Sequence, residues 1–340
     1  MTDSPFATLR TLLTEEASPS LWEQIWYHFE QWPVDDERAL ALEYAKAHME
    51  SWSDKIRKAL AVDPSHPAWP LVRSLDIENA SVASDRLQLL TGEQTQQLRA
   101  LHMGWCNLTR EQFVELLNSE TAQHLTFWNL KGNSFHDEDM EVLTEGPTLE
   151  SLHELRVGWN YIEEKGLCTL LEATNLPKVR RLHFENNEIK AGHLGTLASV
   201  KPGLELEHLA LYNNSLEDEG VQALVRCPSL KGLTSLHLDY NNIGDDGAKA
   251  LAGCEALSSL EELMIERNQI GAFGALALAD SKHMASLKRL HIDRNNLNDE
   301  SVLALLKLPS LETLQVSKEG LKAETVTLLE QNSRVTFHES

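Results

Sequence analysis

Three short stretches of the 340-residue chain repeat one design at intervals of 54 residues: His183 with Glu185, His237 with Asp239, and His291 with Asp293. Imidazole beside carboxylate is a donor set that divalent metals accept, so metal binding is the first chemistry to weigh. Trp105 and Trp159 each follow a glycine (Gly104, Gly158), and Tyr212 and Tyr240 extend an aromatic series toward the middle of the chain. Trp, Tyr and Arg are the side chains that dominate binding hot spots between proteins. Asp239, Glu266 and Asp293 recur every 27 residues, and Arg267 and Arg294 directly follow the last two. Catalysis finds no comparable support. The chain has no GxSxG, P-loop, HExxH or glycine-rich phosphate loop, and no Cys or Ser stands in register with a His and an acid.

Charge narrows the partners further. Thirty Lys and Arg face 52 Asp and Glu, a net charge of −22 that repels phosphate backbones and anionic headgroups. Nucleic acid and membrane surfaces are therefore not expected partners, and neither a cofactor nor a small-molecule substrate is expected. At 42% hydrophobic and 24% charged the composition is that of a globular chain. Cys106, Cys168, Cys227 and Cys254 lack CxxC or Cys/His spacing, which suits reduced thiols better than disulfides or a zinc site. The first residues lack a basic stretch followed by a continuous apolar one, so a cytoplasmic location is expected.

The elements that must position these side chains follow from an internal repeat. LTSLHLDYNNI (233–243) recurs in looser wording from Leu152, Val179, Leu206, Leu260 and Leu287, and more distantly from Val72, Leu98, Leu125 and Leu311. The spacing is almost always 27 residues. The fourth and sixth positions are apolar and flanked by polar residues, the alternation of a short strand with one buried face. Asn133, Asn160, Asn187, Asn214, Asn241, Asn268 and Asn295 fill the ninth position, where a buried amide can satisfy a turning backbone. Ala- and Leu-rich stretches such as 244–257 and 271–284 then read as helices.

This pattern resembles the leucine-rich repeat, LxxLxLxxNxL, over roughly residues 71–337. The resemblance implies an α/β solenoid, a leucine-rich-repeat horseshoe of about ten repeats with a parallel sheet on the concave side and helices on the convex side. The helix after every strand is similar to the ribonuclease-inhibitor-like subtype, and the Gly-Ala-x-Ala-Leu wording of two helices resembles repeats of bacterial effectors. Ala80, Cys106 and Glu319 depart from the asparagine at the ends. Residues 1–70 are expected to form a helical N-terminal cap, with Trp22, Ile25, Trp26 and Phe29 on one helix face, Pro33 ending that helix, and Asp35 or Asp36 capping a second that runs to about Trp52. Five of the eight tryptophans fall in this region, which a cap explains better than a cofactor site. An F-box fits poorly, because Leu21 is followed by Trp22 where an F-box has a Leu-Pro pair. Val335 to Phe337 are expected to form a last short strand.

Placed in register, the fifth column carries Arg156, His183, His237 and His291, the seventh Glu185, Tyr212, Asp239, Glu266 and Asp293, and the eighth Trp105, Trp159, Tyr240, Arg267 and Arg294. The histidines fall on alternate strands, roughly 10 Å apart, too far to share one zinc with bonds of about 2 Å. No metal is expected. The carboxylate column needs a cationic answer, from Arg267 and Arg294 or from a basic partner. Carboxylate neighbours are expected to raise the histidine pKa values, making partner affinity vary between about pH 6 and 8. The resulting expectation is a non-catalytic module that grips another protein across its concave face, with a basic surface as the charge-complementary partner. A GTPase activator, a ubiquitin-ligase adaptor and a self-associating scaffold are the alternatives the same repeats allow.

Overall fold

Apolar residues at the fourth and sixth repeat positions require every copy to bury two adjacent alternate side chains, and each copy does so on a short parallel strand. The computed structural model describes residues 4–33 and 35–338, in two compact units: Met1–Leu130 with Leu149–Leu152, and Lys131–Thr148 with His153–Ser340.

In the first unit, helices α1 (Pro5–Leu12), α2 (Pro19–Glu30) and α3 (Asp36–His48) precede strands β1 (Ser74–Asp76), β2 (Ala100–His102) and β3 (Phe127–Asn129). The strands pair in parallel in chain order. Leu21, Trp22, Ile25, Trp26 and Phe29 of α2 are buried, as the helical spacing predicts. The α2 helix stops at Glu30, three residues before Pro33, and the Asp35 carboxylate accepts from the Arg38 amide to cap α3. That helix ends at His48, short of the expected Trp52. Trp22, Trp26, Trp32 and Trp69 are all buried, so the tryptophan enrichment is packing. Trp22 Nε1 donates to the Lys58 carbonyl at 2.6 Å, and the ring of Trp26 stacks on His66 with centroids 3.8 Å apart. The segment around Lys58 pairs with β1: Arg73 N donates to Arg57 O, and Ala59 N to Ser74 O.

In the second unit, strands β4 (Glu154–Arg156), β5 (Arg181–His183), β6 (His208–Ala210), β7 (Ser235–His237), β8 (Glu262–Met264), β9 (Arg289–His291), β10 (Thr313–Val316) and β11 (Val335–Phe337) pair in parallel in chain order. The pairing places Arg156 opposite His183, then Ala210, His237, Met264, His291 and Gln315, the fifth column in the expected register. Leu155, Leu182, Leu236, Leu263, Leu290 and Leu314 are fully buried at position four, and Val157, Phe184, Leu238, Ile265 and Ile292 at position six. Each such side chain contributes on the order of 2 kcal/mol by leaving water. Helices follow most strands, for example Asp245–Ala252 and Ala272–Ala279, which pack on one another. One repeat departs: Ala191–Ser199 is a 3-10 segment, where the sequence supplies two glycines to an otherwise helical position.

Two side-chain ladders tie successive repeats together. Asn241 Oδ1 accepts from the amides of Asn214 (3.2 Å) and Leu216 (3.3 Å), and its Nδ2 donates to the carbonyls of Leu211 (2.9 Å) and Leu238 (3.1 Å). Asn160, Asn214 and Asn268 repeat the arrangement. At the helix starts, Asp218 Oδ1 accepts from the amides of Gly244 and Gly247, and Asp245 Oδ1 from those of Gly271 and Gly274. A Cβ on Gly247 would lie 2.7 Å from Asp218 Oδ1, and one on Gly274 2.7 Å from Asp245 Oδ1. The glycines of the Gly-Ala-x-Ala-Leu wording are thus where one helix meets the carboxylate of its neighbour. In the first unit Cys106 stands in for the asparagine, its Sγ donating to the Ile77 carbonyl at 3.1 Å. All four cysteines are free thiols.

Candidate binding surface

The strands leave one row of residues in an unusual conformation. At the eighth position the chain turns left-handed in every repeat from Trp159 to Arg294, with φ of 57° at Trp159, 53° at Asn186, 50° at Asn213, 55° at Tyr240, 50° at Arg267 and 51° at Arg294, and Lys318 in the last repeat does not follow. The backbone requires it: the amide at this position donates to the seventh-position carbonyl of the next repeat, as Trp159 does to Glu185 (2.8 Å) and Tyr240 to Glu266 (3.1 Å). Asn and Gly tolerate that region, whereas other residues pay roughly 1–2 kcal/mol for the approach of Cβ to the following carbonyl. Trp159 and Tyr240 are nonetheless held there with 48% and 46% of their surface exposed. The Arg267 guanidinium lies over the Tyr240 ring, 4.8 Å from its centroid. In the first unit Trp105 has the same conformation (φ 59°) and is 41% exposed.

The seventh column sits deeper than its charge suggests. Glu185 is 7% exposed and Asp293 1%. Gly158 makes room for Glu185, whose carboxyl would lie 2.6 Å from a Cβ there. Tyr212, a member of the aromatic series read from the sequence, is half-buried, and burial together with the Glu185 carboxylate pushes its pKa up to about 12. Burial, with Glu266 adding repulsion, lifts Asp239 to about 6. Burial also raises Asp293. The column is answered inside the molecule, but not by its arginines. Gln315 Nε2 donates to Asp293 Oδ1 (2.9 Å), His291 Nδ1 stands 3.5 Å from Glu266 Oε1, and His338 Nδ1 3.8 Å from Asp293 Oδ2. Among the described residues Arg267 and Arg294 form no ion pair.

The histidines find other partners than the sequence spacing suggested. His183 Nε2 lies 3.3 Å from Glu154 on β4, and His237 Nε2 3.5 Å from Glu262 on β8. Side chains two apart on one strand are separated by almost 7 Å, whereas neighbouring strands are under 5 Å apart, so the adjacent strand wins. Between them stands His208, at a third-column position absent from the predicted set, with its ring centroid 4.7 Å from His183 and 4.6 Å from His237. Ser235 Oγ bridges His208 Nδ1 (2.9 Å) and donates to Glu262 (2.7 Å). Reading the third column as the fifth, seventh and eighth were read would have exposed Glu154, His208, Ser235 and Glu262. Burial, reinforced by two imidazole neighbours, drops His208 to about 3. Burial also lowers His237 against the pull of Glu262, the reverse of the expected rise, whereas the Glu266 hydrogen bond does raise His291. Burial alone would raise Glu154, but His183, Arg181 and Arg156 (Nη2 at 2.6 Å) hold it well below the carboxylate range. Glu262 falls to about 2 because Arg289, Ser235 and His237 outweigh its burial. Among the described residues no group of His, Cys, Asp and Glu is arranged to hold a metal.

The comparisons agree with this geometry. The family profile described as "Leucine Rich repeat" matches residues 121–143, 206–225, 232–252 and 283–306. The chain therefore carries leucine-rich repeats, and the repeated strand and helix with their asparagine ladder are the solenoid fold of such repeats. No curated protein matches the chain. An internalin from Listeria monocytogenes is similar in structure, with 17% identity, 88% of this chain and 95% of that one covered, and a TM-score of 0.50. The yeast complex of Rad7 and Elc1 contains another similar chain, with 15% identity, coverage of 97% and 81%, and a TM-score of 0.56. Among the described residues no helix is long and apolar enough to cross a membrane.

Proposed function

We propose that this chain is a non-catalytic protein-binding module whose partner docks along the eighth-position row of the second unit, with Trp159 and Tyr240 as anchors and Arg267 and Arg294 beside them. One observation carries the reading. The fold takes a left-handed residue in each repeat from 159 to 294 and is content with asparagine at 186 and 213, yet the sequence places Trp, Tyr and Arg at 159, 240, 267 and 294. Strain kept at the exposed Trp159 and Tyr240 and at the half-buried Arg267 and Arg294 points to a use outside the fold. Trp105 offers the same chemistry in the first unit. Glu185, Asp239, Glu266 and Asp293 contribute less than the sequence suggests, because they are turned inward or paired, so attraction for a basic partner rests on the net charge of −22. In this reading residues 1–70 are the helical cap of a solenoid spanning 71–337, the setting is cytoplasmic, the 27-residue strand-helix repeat supports the ribonuclease-inhibitor-like subtype, and the Gly-Ala-x-Ala-Leu wording of two helices supports a bacterial source.

The strain gives the test a sign that simple truncation lacks. Trp159→Asn with Tyr240→Asn should weaken capture of the partner at least tenfold while raising the melting temperature, since asparagine suits the left-handed region. Capture at wild-type strength by the double variant would overturn the assignment.

A further inference from the structure

The first unit holds three guanidinium groups that no carboxylate among the described residues neutralises by direct contact. Arg73 and Arg99 occupy the second repeat position, immediately before β1 and β2, and Arg57 lies on the segment paired with β1. Arg180 occupies the same repeat position before β5 and shows how such an arginine is used. Its Nη1 donates to the carbonyls of Pro177 and Val179, both at 3.1 Å, and its Nη2 holds a carboxylate oxygen of Glu205 at 3.2 Å. Arg73 makes the same backbone clip to Pro70 (3.4 Å) and Val72 (3.0 Å), and Arg99 to Gln96 (3.3 Å) and Leu98 (2.8 Å). Among the described residues neither has an acceptor on Nη2. Arg57 is 2% exposed, with Nε on the Leu71 carbonyl, Nη1 on that of Met49, and a buried Nη2 without a protein acceptor.

All three line one cavity of about 590 Å³, joined by Lys46. Glu43, Glu50 and Asp54 form its acidic wall; Glu43 stands 4.0 Å from Lys46, and none of them pairs with an arginine. The gathered charge is costly to the protein alone: burial, then Arg73 and then Arg99, bring Arg57 down to about 10, with Asp54 only partly offsetting them. In a chain of net charge −22, three arginines collected without ion pairs present donors that a bound oxyanion would satisfy.

We propose that this cavity binds a phosphate group carried by a small soluble molecule, its oxygens taken by the Nη2 edges of Arg73 and Arg99 in the way Arg180 takes Glu205. A doubly charged phosphate suits three clustered cations better than a single carboxylate. The site uses none of the residues assigned to the partner surface, so either assignment can fail without the other. It also departs from the sequence-based expectation of no small-molecule ligand.

Calorimetric titration of the full chain with pyrophosphate and with inorganic phosphate, at ionic strength matched with sodium chloride, tests it. Saturable binding of one equivalent is expected, with acetate at least tenfold weaker. Arg73→Gln with Arg99→Gln should reduce phosphate affinity at least tenfold. Arg73→Lys with Arg99→Lys, which keeps charge but loses the planar fork, should fall between, and Arg180→Gln should leave affinity unchanged. Circular dichroism of each unliganded variant separates lost binding from lost folding, and the Lys pair serves if the Gln pair unfolds. Absent saturation, acetate as tight as phosphate, or equal affinity in the folded Gln and Lys variants would each overturn the site.

Discussion

Asp239 shows how a single residue's surroundings decide what it does. Its Oδ1 accepts from the Glu266 amide at 2.8 Å, yet burial and the Glu266 carboxylate lift its pKa to about 6. A carboxylate whose folded pKa is raised contributes stability below its unfolded value, near 3.8, and loses it as pH rises through 6. Above that point the folded chain carries a buried charge costing about 2–3 kcal/mol. Asp239→Asn keeps the acceptor and removes the charge, so it should raise the unfolding free energy at pH 7.5 by about 2 kcal/mol, with the gain fading by pH 4. Denaturant melts at both pH values check this, and a gain independent of pH would refute it. The column of Asp239, Glu266 and Asp293 was legible in the sequence because a fixed period places it. Its depth was not. Whether a side chain at position seven reaches water depends on how far the Gln315, His291 and His338 side chains reach toward it, and register alone does not give that. The histidine pairs were misassigned for the related reason that closeness in sequence is not closeness across a sheet.

At the scale of the element, the repeat period dictated nearly everything: strand positions, parallel register and the ninth-position amide all follow from counting. The asparagine ladder turns that regularity into energy. Removing the Asn241 side chain would orphan the amides of Asn214 and Leu216, while the carbonyls of Leu211 and Leu238 keep Asn214 and Asn268 as donors. Each buried orphan costs about 1–3 kcal/mol, partly relieved by local movement. Asn241→Ala should therefore destabilise by roughly 3–5 kcal/mol, measured by thermal or urea unfolding; a loss below about 1 kcal/mol would mean the ladder is ornament. Two element-level features stayed hidden. The left-handed eighth position is invisible where asparagine is replaced, because Trp159 and Tyr240 are residues no turn rule would place there. The 3-10 segment Ala191–Ser199 was read as a helix, since its apolar content resembles its neighbours while its glycines do not.

For the whole molecule the governing number is the net charge of −22, and its effect depends on where charges remain free. Inside the second unit the carboxylates with specific contacts are largely answered: Glu154 by Arg156 and Arg181, Glu262 by Arg289, Asp293 by Gln315. Short-range selectivity from the acidic column is therefore weak, and the excess acts at long range, where it would speed the encounter with the proposed basic partner and is screened by salt. The two contributions separate kinetically. Raising sodium chloride from about 50 to 500 mM shortens the screening length severalfold and should slow partner association roughly tenfold or more. If the proposed surface holds the complex, the dissociation rate should change far less, because contacts to Trp159, Tyr240 and the stacked Arg267 are only weakly screened by salt. Stopped-flow association and dissociation at the two salt concentrations distinguish this from a complex held by ion pairs. In that case the dissociation rate would climb with salt, and an association rate insensitive to salt would remove the case for a basic partner.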